Sequence, residues 1–412
     1  MDMIVKYSKL NGEVLAQPSK SDAHRKIICA CLAEGESIID NIVLSQDIIA
    51  TIEGMRQSGA KIRLDNNPLT NRYTLSIDTR NRKMEEKRII NCKESGSTLR
   101  FLTMIYASLG GETTFLGEGR LPLRPMEEAY RIFEQDKIEV IKGELNLPLT
   151  IKGNLKGGIY RIKADVSSQF LSGLLMALPM VPERNKVYIE GKFESKGYVD
   201  LTIDVMREFG VNVSEFDNGF LIDNQQYVPS SVIVEGDWSN CGYFYVMNML
   251  GSNIIVNGLN LKTYQPDSII LKHLYEIQSN EHSVIDVSGC PDLAPALAVY
   301  AACAKGTTKL INAERLRKKE SDRLDAISTN LQALRVPVRE KQNEITIYGE
   351  NKIKHGVINS YNDHRIAMAF SCLAPVVMDQ IVIKNVECID KSYPDFYKDM
   401  IKLGGDINEY KF

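Results

Sequence analysis

The chain has 412 residues, of which 44% are hydrophobic and 25% charged, and its formal net charge is −3. A chain of this length is expected to form two or three domains with well-buried cores. The small negative net charge argues against the broad basic face that binds nucleic acid, so any anion binding must depend on local clusters. No segment resembles a signal peptide or a membrane span, and we therefore expect a cytoplasmic protein.

The eight cysteines are scattered along the chain. Cys29 and Cys31 lie in an apolar helical run, and no second pair completes a zinc site. We therefore expect structural thiols in a reducing compartment and no metal centre.

One pattern recurs six times: a small polar cluster, an apolar helix, a strand and a second, amphipathic helix. The polar clusters are 18–21, 94–97, 165–169, 237–240, 286–292 and 361–365, and the apolar helices are predicted at 26–33, 99–109, 170–178, 243–250, 293–304 and 366–374. Strands rich in β-branched residues are predicted at 37–42, 186–190, 254–256, 307–311 and 381–386. Second helices are predicted at 47–58, 199–209 and 394–403, each before a glycine that accepts the positive φ of a helix end. Residues 211–213 and 219–222 predict a hairpin.

Six such units are too many for one core and favour two domains of three units each. The seam is expected near residues 234–236, with a return crossing near Gln17. The predicted first domain therefore comprises residues 1–17 with 235–412, and the second comprises residues 18–234.

Charged residues dominate the segment 312–324, which lies between the apolar run 294–304 and a helical pattern at Leu324, Ile327 and Leu331. One interpretation is a solvated helix start, with Ser321 and Asp322 as N-cap candidates. The other is a charge cluster that two buried elements hold in place for a ligand.

Basic residues recur at the same points of the repeat, beside helix starts whose backbone N–H groups attract anions. These residues are Lys20, Arg25, Arg100, Arg120, Arg124, Lys319, Arg323, Arg365 and Lys391. The pattern predicts a binder of a small, highly charged ligand. The alternative is a set of ordinary caps and ordinary surface charge.

Eight motifs, in this order, resemble those of the 5-enolpyruvylshikimate-3-phosphate (EPSP) synthase family over nearly the whole chain. They are Pro18-Ser19-Lys20-Ser21 with Arg25, Ser95-Gly96-Ser97-Thr98-Leu99-Arg100, Leu123-Arg124-Pro125, Ser167-Ser168-Gln169-Phe170-Leu171, Pro291-Asp292, Lys319-Glu320-Ser321-Asp322-Arg323-Leu324, Tyr361-Asn362-Asp363-His364-Arg365 and Lys391-Ser392-Tyr393-Pro394-Asp395. The resemblance implies an α/β fold, a two-domain inside-out α/β barrel with three βαβαββ units per domain. It places the active site in the cleft between the domains.

The resemblance also implies a reaction in the shikimate pathway, which leads to chorismate and the aromatic amino acids. The enolpyruvyl group of phosphoenolpyruvate passes to the 5-hydroxyl of shikimate 3-phosphate through a tetrahedral intermediate, and inorganic phosphate is released. No cofactor and no metal are implied, and the small-molecule substrates are the expected partners of a monomer.

Site residues are carried over from the matching motifs. The catalytic candidates are Asp292 as base for the 5-hydroxyl, Glu320 as acid and base at C3, and Lys20 between both substrates. Shikimate 3-phosphate is assigned to Lys20, Ser21, Arg25, Ser167, Ser168, Gln169, Ser195, Asp292 and Lys319. Phosphoenolpyruvate is assigned to Lys20, Gly96, Arg124, Gln169, Arg323, Arg365 and Lys391.

Several assignments have a structural alternative. Asp292 can be a helix N-cap, and Glu320 can be a carboxylate at a helix N-terminus. His364 is a candidate for tuning the phosphate region, and its structural alternative is an imidazole hydrogen-bonded beside Asp363. Further candidates, which belong either to the site or to the scaffold, are Tyr198 and Arg100.

The chain departs from the family pattern at Glu94, at residues 22–24, at Arg315 and at Arg335. These changes affect the expected substrate affinity and inhibitor response more than the reaction. Glyphosate, which competes with phosphoenolpyruvate in this family, is expected to inhibit because Gly96 leaves room for it.

Two other functions remain open. The sister family transfers the same enolpyruvyl group to UDP-N-acetylglucosamine, but it typically carries a reactive cysteine on the loop that matches 117–124, and none is present here. A catalytically inactive anion-binding relative is the third possibility, against which Lys20, Asp292, Glu320 and Lys391 argue.

Overall fold

The computed structural model describes residues 1–163 and 167–410. The chain forms two compact units, each with its own hydrophobic core. The central unit is Pro18–Glu235, and the terminal unit joins Met1–Gln17 to Gly236–Phe412.

The helices and strands of the described residues are numbered in chain order. The helices are α1 Lys20–Leu32, α2 Gln46–Arg56, α3 Gly96–Leu109, α4 Glu127–Asp136, α5 Ser168–Ala177, α6 Lys196–Glu208, α7 Trp238–Met249, α8 Ile270–Ser279, α9 Ala294–Cys303, α10 Arg323–Ala333, α11 His364–Ser371 and α12 Phe396–Lys402. The strands are β1 Met3–Lys6, β2 Asn11–Leu15, β3 Glu36–Ile42, β4 Lys61–Asn67, β5 Arg72–Asp78, β6 Lys87–Asn91, β7 Glu112–Leu116, β8 Glu139–Lys142, β9 Leu149–Lys152, β10 Ile159–Lys163, β11 Asn185–Glu190, β12 Ser214–Phe216, β13 Gly219–Ile222, β14 Ser231–Ile233, β15 Asn253–Asn257, β16 His282–Asp286, β17 Thr307–Ile311, β18 Val338–Glu340, β19 Ile345–Tyr348, β20 Gly356–Asn359, β21 Gln380–Lys384 and β22 Ile407–Glu409.

The strands of the described residues form six sheets, and five of these sheets share one topology. In the central unit the strand orders are β14-β3-β5-β4, β6-β7-β9-β8 and β10-β11-β13-β12. In the terminal unit they are β16-β17-β19-β18 and β20-β21-β1-β22, and the sixth sheet is the parallel pair β2-β15. Within every four-stranded sheet the first pair is parallel and the other pairs are antiparallel.

The strands and helices bury the faces that their patterns predict. The strand β6 alternates exposed and buried residues, which is typical of a sheet with one solvated face. The helix α9 is apolar on all sides and almost fully buried, so it lies inside the core of the terminal unit. The predicted α/β repeat architecture is therefore present in both units.

Some predicted boundaries were wrong. The helix predicted at 26–33 begins six residues earlier, at Lys20, because Asp22, His24 and Arg25 are buried and form its first turns. The helix predicted at 243–250 begins at Trp238, and the one at 293–304 is preceded by the 3-10 turn Pro291–Leu293. The first hairpin arm is Ser214–Phe216 and not 211–213, and the strand predicted at 381–386 ends at Lys384. Residues 165 and 166 of the third polar cluster lie outside the described residues.

Candidate active site

One arginine of the terminal unit, Arg323, binds three carboxylates at once. It is the first residue of α10, and Asp322 is the N-cap. Its guanidinium lies 2.6 Å from Glu320 Oε2, 2.8 Å from Asp292 Oδ1 and 2.7 Å from Asp363 Oδ2. Only 1% of the side chain is exposed. The charged segment is therefore not a solvated helix start, although Asp322 caps the helix as predicted.

Asp292 shares its carboxylate among three cations. Besides Arg323, Lys319 Nζ lies 3.3 Å from Oδ1 and Arg365 Nη2 lies 2.9 Å from Oδ2. Burial raises the pKa of Asp292, but the surrounding positive charges, Arg365 foremost, outweigh burial and hold the pKa well below its usual range. Because the pKa is lowered, the carboxylate is ionised at neutral pH. The Asp292 side chain is 20% exposed, so solvent can reach it.

Asp292 and Glu320 are not helix caps. The N-cap positions beside Asp292 are Cys290, for the 3-10 turn, and Leu293, for α9. Glu320 precedes the N-cap of α10 and pairs with Arg323 on the first turn. We call Asp292, Lys319, Glu320, Arg323, Asp363 and Arg365 the Arg323 cluster. Burial lowers the pKa of Lys319 in spite of the nearby Asp292 charge, so its ammonium is a more acidic group than usual.

Two further candidates, His364 and Lys391, lie at the start of α11 or contact it. Its N-cap, Asp363, accepts a hydrogen bond from the backbone N–H of Arg365 at 3.0 Å. Lys391 Nζ donates to the carbonyl oxygen of Asn362 at 2.9 Å. His364 is buried, and its Nδ1 lies 4.0 Å from Asp363 Oδ1, which is too long for a hydrogen bond. No hydrogen bond therefore joins this imidazole to the Asp363 carboxylate.

In the central unit, two guanidinium groups converge on Gly96, the first residue of α3. A side-chain Cβ at this position would lie 2.5 Å from Arg124 Nη1 and 3.6 Å from Arg100 Nη1. The N-terminus of a helix carries partial positive charge, so the helix and both arginines favour an anion here. Glycine leaves room here for the Arg124 guanidinium, which a side chain at this position would displace.

Gln169 joins this group through hydrogen bonds. Its Oε1 accepts from Arg100 Nη1 at 2.8 Å, and its Nε2 donates to Ser97 Oγ at 2.7 Å. Ser167 is the N-cap of α5, where its Oγ accepts from the Gln169 backbone N–H at 3.2 Å, and the neighbouring Ser168 is buried. The structure therefore brings together Gly96, Arg100, Arg124 and Gln169.

The first turns of α1 carry a second group of candidates. Lys20 Nζ lies 2.9 Å from Asp47 Oδ2. Arg25 is buried, and its guanidinium donates to Thr202 Oγ1 at 2.7 Å and to the carbonyl oxygens of Ser21 and Tyr198 at 2.6 and 3.0 Å. Burial lowers the pKa of Arg25 to about 10. Arg25 and the Tyr198 carbonyl thus brace α1 against α6, whose N-cap is Ser195 with a left-handed φ of 54°.

The sequence analysis did not predict a row of buried side-chain hydrogen bonds in the central unit. His24 Nδ1, Thr51 Oγ1, Thr98 Oγ1 and Ser95 Oγ form successive contacts of 2.7 Å. These hydrogen bonds connect α1 and α2 to the N-cap of α3. The sequence shows polar residues within apolar helices, which is the only sign of these hydrogen bonds. It does not show which of these residues contact one another. Asp47 and Asp363 were missed as well, although Asp363 belongs to a quoted motif.

Over residues 1–163 and 167–410, no group of three or more His, Cys, Asp or Glu side chains is arranged to hold a metal ion. No helix in the same ranges is both long enough and apolar enough to cross a membrane.

Solved structures identify the class of fold. Two structures of EPSP synthase from Acinetobacter baumannii superpose with TM-scores of 0.79 and 0.80, cover 99% and 100% of this chain and 100% of their own, and are 22% identical. At that identity the likeness shows the fold alone. The predicted two-domain enolpyruvyl transferase fold is confirmed.

Sequence comparison then identifies the family. The model of EPSP synthase (3-phosphoshikimate 1-carboxyvinyltransferase) matches residues 4–400. A relative from Clostridium perfringens named 3-phosphoshikimate 1-carboxyvinyltransferase is 42% identical over 421 positions, which cover 98% of each chain. One of the same name from Clostridium kluyveri is 43% identical over 98% of this chain and 97% of its own. The chain belongs to the EPSP synthase family, as the motifs predicted.

The Arg323 cluster predicts a large loss of stability when its central cation is removed. Arg323→Met leaves three carboxylates without their shared partner, and breaking a buried ion pair in this way costs about 3–5 kcal/mol. Urea denaturation at pH 7.5 measures the effect. Lys305→Met, which removes a solvent-exposed ion pair with Glu281, is the control and should leave the midpoint unchanged. Equal midpoints for wild type and Arg323→Met would show that the cluster does not stabilise the unit.

The buried imidazole of His24 predicts a specific pH dependence. Burial, together with the charges of Lys20 and Arg25, holds the pKa of His24 well below 6.5. Protonation of His24 is therefore disfavoured in the folded protein, whereas the unfolded chain takes up a proton below about pH 6.5. Stability should fall because of this group as the pH drops from 7.5 to 5.5, by at most about 1.4 kcal/mol.

Urea denaturation at the two pH values tests this expectation. His24→Asn should lose that part of the pH dependence, while His355→Asn, at an exposed position, should keep it. An identical pH dependence in wild type and His24→Asn would contradict the account.

Proposed function

We propose that the protein transfers the enolpyruvyl group of phosphoenolpyruvate to the 5-hydroxyl of shikimate 3-phosphate and releases inorganic phosphate. The observation that carries this proposal is the Arg323 cluster, in which acid–base carboxylates and anion-binding cations lie in direct contact. Family membership supports it, since relatives 42% and 43% identical carry the name of this activity. The residues proposed for each substrate come from both units, and we propose that they form one active site in the interdomain cleft.

The cations are assigned to the anionic groups of the substrates. We assign phosphoenolpyruvate to Lys20, Gly96, Arg124, Gln169, Arg323, Arg365 and Lys391. Two arrangements support this assignment. Arg124 Nη1 lies beside Gly96, and Arg323 and Arg365 both pair with Asp292. Guanidinium groups placed in this way suit carboxylate and phosphate oxygens.

Shikimate 3-phosphate is assigned to hydroxyl and amide groups. They belong to Ser21, Ser167, Ser168, Gln169 and Ser195, with Lys20, Arg25, Lys319 and Asp292 as charged groups. The buried guanidinium of Arg25 already holds the Ser21 and Tyr198 carbonyl groups, so this residue also fixes the shape of the subsite.

The same cations control the acid–base chemistry. The positive charges of Arg365, Lys319 and Arg323 keep the Asp292 carboxylate weakly basic. When substrate anions share these cations, the proton affinity of Asp292 rises, and the carboxylate can then accept the proton of the 5-hydroxyl. Glu320, fixed by Arg323 at 2.6 Å, would protonate C3 of phosphoenolpyruvate and remove a proton from it in the elimination step.

The remaining parts of the proposal concern the setting of the reaction. We expect a monomer that acts in the cytoplasm, without a metal or an organic cofactor and without nucleic-acid or membrane partners. The two alternative functions are not favoured. The relatives are named 3-phosphoshikimate 1-carboxyvinyltransferase, and the presence of Lys20, Asp292, Glu320 and Lys391 together argues against an inactive relative.

Phosphate release with defined substrates tests the function. The purified protein should release one phosphate per phosphoenolpyruvate consumed only when shikimate 3-phosphate is present. Replacing shikimate 3-phosphate with UDP-N-acetylglucosamine should give no release. Release with the nucleotide sugar, or none with either acceptor, would overturn the proposal in favour of the corresponding alternative.

Glu320→Gln tests the proposed proton transfer at C3. The amide keeps the shape of the carboxylate but cannot carry the proton, so kcat should fall at least about 100-fold. The dissociation constant of phosphoenolpyruvate, measured by calorimetry, should stay within about threefold. Glu314→Gln, at an exposed position of the same segment, is the control and should retain full turnover. If binding and turnover fall together, Glu320 is a binding residue and not an acid–base group.

A further inference from the structure

The segment that carries Arg124 is a short bridge between two buried anchors. It contains the 3-10 turn Leu121–Leu123, and Arg124 follows with extended backbone. Leu121 on one side and Met126 on the other are buried, whereas the Leu123 side chain is 60% exposed. The Arg124 backbone N–H donates to the Leu121 carbonyl oxygen at 3.1 Å, and the other contacts that hold this segment are made by residues outside it.

One asparagine supplies contacts on both sides of Leu123. Asn146, in the loop between β8 and β9, donates its backbone N–H to the carbonyl oxygen of Pro122 at 3.1 Å. Its side-chain Nδ2 donates to the carbonyl oxygen of Arg124 at 2.8 Å. The two hydrogen bonds hold the bridge at two carbonyl groups, one of which belongs to Arg124 itself.

A tyrosine sets the orientation of this asparagine. The hydroxyl of Tyr130, on α4, donates to Asn146 Oδ1 at 2.9 Å. An amide whose oxygen accepts from a hydroxyl presents its NH₂ group on the other side, where the Arg124 carbonyl lies. Burial raises the pKa of Tyr130 to about 12, so the hydroxyl keeps its proton at neutral pH. Lys142 Nζ lies 4.9 Å from the centre of the Tyr130 ring and adds a cation–π contact.

The position of the Arg124 backbone matters because the side chain is buried, with 7% of the residue exposed. Its Nη1 lies where a Cβ on Gly96 would be only 2.5 Å away. A shift of the Arg124 carbonyl would therefore move the guanidinium relative to the N-terminus of α3. We propose that Asn146, oriented by Tyr130, is a positioning residue that fixes Arg124 against Gly96 and thereby sets the affinity for phosphoenolpyruvate. This inference rests on the proposed function, in which Arg124 binds that substrate.

Three variants separate the two hydrogen bonds of the Asn146 side chain. Asn146→Ala removes both, and Asn146→Asp keeps the acceptor for Tyr130 but loses the donor to Arg124. Tyr130→Phe keeps that donor and loses only its orientation. The KM for phosphoenolpyruvate should rise about threefold in Tyr130→Phe and about tenfold or more in both Asn146 variants. The kcat and the KM for shikimate 3-phosphate should stay within about twofold of wild type.

A matched control removes the same kind of bond elsewhere in the central unit. Asn224 Nδ2 donates to the carbonyl oxygens of Pro179 and Val181 at 2.9 and 3.1 Å, in a loop without an assigned site residue. Asn224→Ala should leave both KM values unchanged. An unchanged KM for phosphoenolpyruvate in Asn146→Ala, or an equal rise of both KM values, would overturn the inference.

Amide hydrogen exchange provides a readout that does not depend on turnover. Exchange in residues 118–125 should be faster in Asn146→Ala than in wild type and unchanged in Asn224→Ala. Unchanged exchange in Asn146→Ala would overturn the positioning role even in an inactive protein. If the wild type releases no phosphate, the proposed function fails. If the wild type turns over normally and the variants have the wild-type KM for phosphoenolpyruvate, only the inference about Asn146 fails.

Discussion

In the terminal unit, the single buried guanidinium of Arg323 pairs with three carboxylates. The negative charge of these carboxylates exceeds the positive charge of Arg323, and the arrangement of the surrounding residues depends on this imbalance. The contacts of Arg323 with Glu320, Asp292 and Asp363 are all 2.8 Å or shorter. Carboxylates this close repel one another unless further cations compensate them, and Lys319 and Arg365 supply that charge through Asp292. The cluster is neutral only as a whole. An anion that draws on the cations of this cluster must therefore change the proton affinity of its carboxylates, and we propose that substrate binding is coupled to acid–base chemistry in this way.

The same repeat builds two chemically different sets of helix starts. The inner helices of the central unit are capped by serines, and two of those in the terminal unit are capped by aspartates. The caps are Ser19, Ser95 and Ser167 in the former and Asp237 and Asp363 in the latter. A neutral serine cap leaves the positive end of the helix available to an anion, as at Gly96. An aspartate cap adds a negative charge that needs a cation such as Arg323. One fold thus presents a helix start beside two arginines in one unit and a cluster of paired carboxylates and cations in the other.

The elements that sequence predicted best are those whose burial follows from local pattern alone. The strand predicted at 307–311 is β17, and the apolar run 294–304 contains α9. The start of α1 was missed because its polar residues are buried by partners distant in sequence, such as Thr51 for His24. The motifs supplied the candidate site residues but not their pairing, since Asp292 and Asp363 lie 31 and 40 positions from Arg323. Asn146 belongs to no motif, and only the structure shows what it contacts.

The central claim is that Glu320, held by Arg323, moves protons at C3 of phosphoenolpyruvate in an addition–elimination reaction. Mass spectrometry of the product formed in D₂O tests this claim directly. Addition of a deuteron to the methylene carbon gives a methyl group, and the elimination that follows removes either isotope. The account predicts deuterium in the enolpyruvyl methylene of the product during wild-type turnover. A product free of deuterium at that carbon would contradict it.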